Sequence, residues 1–155
     1  MKRLDTTLLM TDLDGTLLPS TKEILPEELE AIRQFRQQGG KFAIATGRTL
    51  QAAQRYLDRV QADVPVILFN GAGIYDPVSG TMLDTESLPA EAAFQMTRRV
   101  LEAFPEVSAE ILRVDGTYVP RMTEYEREHL EICRVEPVLL PLDEIPRGEW
   151  LKVRF

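Results

Sequence analysis

The sequence is short of cysteine, of positive charge and of long apolar runs. Its 155 residues include one cysteine, Cys133, so no disulfide can form within the chain, and we expect a reducing, cytoplasmic location. The 18 basic residues are outnumbered by 25 acidic ones, and no basic block stands out, which argues against a nucleic-acid partner. The apolar runs are shorter than a signal peptide or a membrane span requires, so we expect no membrane partner.

Apolar residues make up 44% of the chain. Over the first half, their spacing alternates between patterns typical of strands and patterns typical of helices. Short continuous apolar runs predict buried strands, and residues spaced three and four apart predict helices between them. The strands are predicted at 7–11, 41–46 and 65–69, and the helices at 49–60 and from Pro26 to the Gly39-Gly40 pair. This order is typical of a parallel sheet covered by helices, so the fold class is α/β with a Rossmann-like core.

The second half has a different pattern, antiparallel and mixed. Hairpins are predicted at 73–83 and around Asp115-Gly116, where the dipeptide favours a type I′ turn. A helix is predicted at 90–104, and another after Thr123, with Glu126 completing a capping box. A last strand is predicted at 149–155. We therefore predict a parallel α/β domain at 1–83 and a mixed α+β domain at 84–155.

The chain stops on an apolar-rich strand, Trp150 to Phe155, with no turn or polar tail after it. Three parallel strands also make a small sheet with exposed edges. Both features lead us to expect that the core is incomplete and that the 155 residues are part of a longer chain.

Three polar clusters follow the three predicted parallel strands. They are Asp12-Leu13-Asp14-Gly15-Thr16, Thr46-Gly47-Arg48 and Asn70-Gly71-Ala72. In open parallel α/β sheets, ligands bind at the carboxyl ends of the strands. We therefore expect the three clusters to converge on one site.

Two carboxylates held close together need a cation or a proton between them, and Mg²⁺ is the hard ion that oxygen ligands suit. The same ion would neutralise phosphate oxygens. One carboxylate can then attack phosphorus as a nucleophile while the other moves protons. Gly15 lets the backbone turn tightly, so that N–H groups can point at a phosphate. This arrangement predicts phosphoryl transfer.

At this point the residues resemble a known family. DLDGTLL after an apolar strand resembles the first motif of the haloacid dehalogenase (HAD) superfamily of phosphatases, and ATGR resembles its second motif. FNGA with a mixed α/β insert is similar to the Cof-type subfamily, which carries a type-IIB cap. The resemblance implies a HAD core at 1–83 and an incomplete cap at 84–155.

The resemblance also implies a role for each matching residue. Asp12 would be the nucleophile and a Mg²⁺ ligand, and Asp14 the general acid and base, giving its backbone carbonyl to the metal. The residues that would contact phosphate or substrate are Leu13, Gly15, Thr16, Thr46, Gly47, Arg48, Asn70 and Gly71.

One departure from the family pattern bears on activity. The family also uses a lysine and a later acidic pair, and neither motif appears in this sequence; Lys152 is not assigned the lysine role. We therefore expect the chain alone to bind Mg²⁺ weakly and to turn over slowly or not at all.

The predicted function is a Mg²⁺-dependent phosphatase for a small phosphorylated metabolite such as a sugar phosphate. The alternatives are a phosphosugar mutase using the same aspartate, and a non-catalytic fragment, binding module or receiver-like domain. The specific ester and the oligomeric state stay open. His129 is predicted to be a surface residue, Cys133 a small buried filler, and Trp150 a packing residue.

Overall fold

The structure, a computed structural model, describes residues 4–155 and divides into two compact units. The first unit comprises Met1–Arg48 and Ala53–Asp84, and the second comprises Thr49–Ala52 and Thr85–Phe155. The domain boundary placed at 83/84 from the sequence remains a prediction. Within residues 4–155, no helix combines the length and the apolar character needed to cross a membrane.

The first part of the chain, through β5, alternates strands and helices before a final hairpin. Its elements are β1 (Leu8–Thr11), α1 (Pro26–Gln37), β2 (Lys41–Ile44), α2 (Leu50–Val60), β3 (Val66–Leu68), β4 (Gly73–Asp76) and β5 (Thr81–Thr85). The predicted order of strands and helices in this part is confirmed, with element ends shifted by a few residues.

The predicted parallel sheet is present. Strands β1 and β2 pair in parallel, with Leu8 opposite Lys41. A parallel bridge between Ala45 and Ile67 joins β2 to β3, and β4 and β5 extend β3 as an antiparallel hairpin. The carboxyl ends of β1, β2 and β3 therefore lie at one edge of the sheet, and each of the three polar clusters begins there.

Strand β1 is exposed, so the prediction of a buried first strand is wrong for this structure. Leu8 is 56% exposed, Leu9 49% and Met10 42%. The physical reason is the position of β1, since within the described residues it pairs with β2 alone and its other edge has no neighbour. An apolar run predicts burial only where a second strand or layer covers it.

Helix α1 begins and ends as its sequence predicts. Pro26 occupies the first turn, where its missing N–H costs no hydrogen bond, and the Glu28 carboxylate accepts a hydrogen bond from the Leu25 N–H at 3.0 Å. Gly39 follows the helix with φ at 93°, and a Cβ on Gly40 would lie 2.4 Å from the Phe35 ring. Gly39 therefore provides the left-handed turn after the helix, and Gly40 leaves room for the Phe35 ring.

The second unit contains an open sheet with α3 and α4. Its elements are α3 (Ala90–Ala103), β6 (Glu110–Arg113), β7 (Gly116–Val119), α4 (Glu124–Cys133), β8 (Pro137–Leu139) and β9 (Lys152–Arg154), in strand order β8-β7-β6-β9. Its core holds Phe94, Ile111 and Trp150, and the Trp150 indole N–H donates to the Pro146 carbonyl at 2.8 Å. Trp150 is fully buried, which confirms the packing role.

Two local predictions in the second unit are wrong, and one strand was missed. Arg113 pairs with Gly116, so the turn is Val114-Asp115, and none of these residues has a positive φ; the type I′ prediction is wrong because Gly116 belongs to the strand. Thr123 does cap α4 through the Glu126 N–H at 3.2 Å. The Glu126 carboxylate, however, contacts Arg154 on β9 and does not complete the capping box. Strand β8 was not predicted.

Candidate active site

The first carboxylate of the predicted site follows directly after β1. Asp12 is exposed, and its Oδ1 accepts a hydrogen bond from the Leu13 N–H at 2.6 Å. Leu13 is fully buried and its carbonyl accepts the Leu18 N–H at 2.8 Å, so a tight turn anchors the loop. The apolar Leu13 side chain thus points into the core, while the carboxylate beside it faces outward.

Residues from all three strand ends line one cavity in the first unit. The cavity has a volume of about 330 Å³ and is lined by Asp12, Ala45, Thr46, Gly47, Ile67, Asn70 and Gly71. The structure therefore brings Asp12 together with four other predicted site residues. Leu13, Asp14, Gly15, Thr16 and Arg48 do not line this cavity.

The loops after β2 and β3 are joined by their backbones. The Asn70 N–H donates to the Thr46 carbonyl at 3.2 Å, and the Phe69 N–H donates to the Arg48 carbonyl at 3.0 Å. Phe69 and Asn70 both have a positive φ, near 53° and 59°, and Gly71 follows at 99°. This left-handed run bends the chain back toward Thr46, which is buried and whose Oγ1 accepts the Arg48 N–H at 3.3 Å.

The second carboxylate, Asp14, is held by two cations. Arg48 Nε lies 2.7 Å from Asp14 Oδ2, and Lys22 Nζ lies 2.7 Å from Oδ1. The hydrogen bond from Arg48 and then that from Lys22 hold the pKa of the Asp14 carboxyl well below its usual range. In this arrangement the Asp14 side chain is an anion at neutral pH.

Lys22 is a contact of the site region that the sequence patterns did not predict. Its backbone has a φ of 58°, and its carbonyl accepts a hydrogen bond from the Tyr56 hydroxyl at 3.0 Å. Tyr56 is buried, and the Arg48 guanidinium lies 5.1 Å from the centre of its ring. No spacing signal marks Lys22 in the sequence, because the contacts that place it come from residues far along the chain.

Gly15 and Thr16 lie in the turn after Asp14. Gly15 has a φ of 77°, a conformation that favours glycine, so the predicted need for a tight turn there is met. The Thr16 N–H donates to the Leu13 carbonyl at 3.3 Å. The contact of these residues with a phosphate remains a prediction.

The oxygen ligands near Asp12 are of the type that Mg²⁺ prefers, but there are few of them. Asp12 offers an exposed carboxylate, a hard oxygen donor of the type Mg²⁺ prefers. The Asp14 carboxylate is occupied by Arg48 and Lys22, so Asp14 could offer only its backbone carbonyl. Across residues 4–155 there is no group of three His, Cys, Asp or Glu side chains that could hold a metal ion. These donors fit a partial Mg²⁺ site whose other ligands would be water and phosphate oxygens.

The comparison with known families decides the assignment. The profile of the haloacid dehalogenase-like hydrolases matches residues 9–145, nearly the whole chain. The chain belongs to the haloacid dehalogenase-like hydrolase family. The matched stretch includes most of β1, the three polar clusters and most of the second unit, so the resemblance seen in the sequence is confirmed.

Named relatives and solved structures agree with this assignment. Over 97 residues the chain is 34% identical to the pyridoxal phosphate phosphatase YbhA of Escherichia coli, covering 63% of this chain and 36% of YbhA. BT1666 of Bacteroides thetaiotaomicron, a HAD superfamily phosphatase, has 26% identity and a TM-score of 0.68 over 90% of this chain and 51% of BT1666. BT4131, a HAD subclass IIB sugar phosphatase, has 23% identity and a TM-score of 0.75 over 89% of this chain and 54% of BT4131.

These relatives are all longer than this chain. The chain spans about half the length of the two structures and about a third of YbhA. The predicted α/β fold class is confirmed by these structural matches.

Proposed function

We propose that this haloacid dehalogenase-like chain carries the nucleophile of a phosphatase for small phosphorylated metabolites, with Asp12 as that nucleophile. The observation that supports this best is the cavity that Asp12 shares with Thr46, Gly47, Asn70 and Gly71 at the carboxyl ends of the parallel strands. The domain roles belong to the same proposal, with 1–83 as the core and 84–155 as the cap.

The reaction has two steps on Asp12. An Asp12 carboxylate oxygen attacks phosphorus, the bond from phosphorus to the ester oxygen breaks, and an aspartyl-phosphate forms. Water then attacks that phosphorus, inorganic phosphate leaves, and the carboxylate is regenerated. Mg²⁺, bound by Asp12 and the Asp14 carbonyl, would supply charge neutralisation for the phosphoryl oxygens.

The groups around Asp12 position the phosphoryl group. The Thr46 hydroxyl and the backbone N–H groups of Gly47 and Gly71 are donors of the kind that hold phosphoryl oxygens. Asn70 would face the rest of the substrate. Leu13, Gly15 and Thr16 would contribute through the backbone of the loop after Asp12.

Asp14 is proposed to give a proton to the leaving oxygen and later to take one from the attacking water. Its carboxylate now pairs with Arg48 and Lys22. Because the paired carboxylate is an anion, it must leave at least one of these partners and take a proton from solvent before it can give one to the ester oxygen. Arg48 therefore acts on substrate turnover through Asp14 as well as through any direct contact with the substrate.

The substrate class is proposed only as a phosphomonoester of a small metabolite. YbhA is named for pyridoxal phosphate and BT4131 is named as a sugar phosphatase, so relatives of similar fold act on unlike leaving groups. A sugar phosphate is within this class. A cytoplasmic location is part of the same proposal and is supported by the single cysteine in the sequence.

The first experiment needs no turnover, so the 155-residue chain itself can be used. Beryllofluoride with Mg²⁺ mimics a phosphoryl group on an aspartate, and its binding is monitored by the amide NMR signals of Gly47 and Gly71. We expect both signals to shift in the wild type and in Asp58→Asn, an exposed aspartate on α2, and neither to shift in Asp12→Asn. Shifts that persist in Asp12→Asn would refute the nucleophile.

A second experiment separates a phosphatase from a mutase. An active preparation that contains this chain is given glucose 6-phosphate, and both free phosphate and isomerised sugar phosphate are measured. Free phosphate as the product supports the proposal. Isomerised product with little free phosphate would assign the mutase reaction to the same aspartate.

A further inference from the structure

The second unit contains a buried charge cluster that the proposed phosphatase reaction does not use. Arg154 on β9 donates through one guanidinium nitrogen to Glu110 on β6 at 2.5 Å. The same nitrogen lies 3.0 Å from both carboxylate oxygens of Glu126 on α4. Glu110 is 5% exposed and Glu126 3% exposed, so three separate elements meet at buried charges.

The charges in this cluster do not balance. Two carboxylates face one guanidinium, so full ionisation leaves an excess negative charge in a buried place, which is costly. A proton on Glu126, hydrogen-bonded to Glu110, removes that excess. Burial first, and then the neighbouring Glu110, raise the pKa of Glu126 to about 8. At neutral pH the folded unit therefore retains this proton.

The other ionisable groups around the cluster are known. His129 Nε2 on α4 lies 3.6 Å from Glu110, and Cys133 Sγ on the same helix lies 3.4 Å from that nitrogen. Lys152 on β9 is also close enough to feel the Glu110 charge, and burial is the main cause that lowers the pKa of its amine. Contrary to the sequence prediction, His129 is half-buried against Glu110 and is not a free surface residue. Because burial lowers the pKa of Lys152, opening would return a proton to its amine, which opposes the proton that Glu126 releases.

The charge cluster holds the start of helix α4 against the sheet. Leu130, one turn beyond Glu126, packs with Val119 and Val135. The Glu126 side chain, which could have closed the capping box at the start of the helix, instead spans to Arg154. The start of α4 is thus tied to the sheet by polar contacts and its later part by apolar ones.

We propose that Glu110, Glu126 and Arg154 form a pH-dependent polar contact that holds the start of α4 on the sheet of the second unit. This contact weakens as the pH rises through the neutral range. When α4 opens, Glu126 meets water, ionises and releases its proton. Opening is therefore favoured by a fall in proton concentration. This inference is independent of the proposed phosphatase activity.

The test is amide hydrogen exchange on the 155-residue chain from pH 6 to pH 7.5, corrected for the intrinsic exchange rate at each pH. One proton released on opening predicts that the protection of the α4 amides falls by roughly tenfold per pH unit. The β2 amides of the first unit serve as the internal reference and should keep a constant protection.

Two variants decide the cause. Glu126→Gln keeps the hydrogen-bonding shape without the titration, and we expect its α4 protection to be independent of pH. Glu128→Gln removes an exposed carboxylate from the same helix and should behave like the wild type. A wild type without the slope, or a Glu126→Gln protein that keeps it, would overturn the proposal.

A second measurement covers the case in which Glu126→Gln does not fold. The carboxyl carbons of the wild-type glutamates are titrated by NMR. We expect one glutamate signal to titrate near neutral or above, well apart from the others. If every glutamate titrates in the ordinary acidic range, the proposed pH-dependent contact is refuted.

Discussion

Asp14 and Arg48 form a two-pronged ion pair, in which Arg48 Nε lies 2.7 Å from Asp14 Oδ2 and a terminal nitrogen of Arg48 lies 2.9 Å from Oδ1. A planar guanidinium matches a carboxylate in this way, and a lysine ammonium cannot. Arg48 is nearly buried, while Asp14 is about 40% exposed. The arginine is therefore the fixed member of the pair and sets where the Asp14 carboxylate lies.

The first prediction concerns this orientation. Arg48→Lys keeps the charge and loses the fork, so we expect kcat in an active preparation to fall by roughly 10- to 100-fold through misplacement of Asp14. Arg59→Lys, which alters an exposed arginine paired with Glu23 at 3.5 Å, should leave kcat unchanged. Steady-state kinetics on a generic phosphate ester measure both variants. Equal kcat for Arg48→Lys and the wild type would show that the bidentate Arg48–Asp14 ion pair has no role in turnover.

A second prediction addresses the Thr46 hydroxyl. Thr46→Val has almost the same shape and lacks the hydroxyl, so one donor to the phosphoryl group is lost, and we expect kcat/KM to fall by about 10²- to 10³-fold. Thr46→Ser retains the hydroxyl and should lose much less. The comparison is made by kinetics, with circular dichroism to check that both variants fold. If the Thr46→Val enzyme is as active as Thr46→Ser, the Thr46 hydroxyl does not bind the phosphoryl group.

Trp150 provides a prediction on stability. Its side chain is fully buried against Phe94, with ring centres 6.4 Å apart, so Trp150→Ala leaves a large cavity. We expect a loss of about 3–5 kcal/mol in the free energy of unfolding. Urea denaturation monitored by far-ultraviolet circular dichroism measures it. Val78→Ala, at a site 72% exposed, should change the free energy by less than about 0.5 kcal/mol.

The exposed strand β1 leads to a prediction on association. Leu9 is 49% exposed on a strand with an open edge among the described residues, and such edges pair with other chains. We expect the 155-residue chain to self-associate with rising concentration and Leu9→Lys to reduce that association. Sedimentation velocity at several concentrations makes the measurement, and Val78→Lys adds the same charge elsewhere as a control. If both variants associate alike, β1 is not the contact.

Local sequence patterns predicted the parts of the fold that local chemistry determines. The apolar runs before Asp12, Thr46 and Asn70 each gave a strand, and their shared parallel direction placed these three residues in one cavity. Pro26 and the glycines at 39 and 40 marked the ends of α1. Each of these inferences needed only neighbouring residues and the direction of a strand.

The missed features at Lys22, Glu126 and β1 depend on contacts between residues far apart in sequence. Lys22 reaches Asp14 because Tyr56 holds its carbonyl, and Glu126 leaves its capping box because Arg154 lies opposite. Exposure of β1 depends on its neighbours in the sheet and not on its own composition. Spacing within a segment carries no information about such partners.

The backbone hydrogen bonds from Asn70 to Thr46 and from Phe69 to Arg48 couple two loops into one rigid piece. Under the proposed function, a leaving group that displaces Asn70 would also displace the Thr46 hydroxyl proposed to hold the phosphoryl group. The choice of ester and the reaction rate would then be linked. Swapping residues at 69–71 to suit a new ester would be expected to cost rate unless the 46–48 loop is adjusted with them.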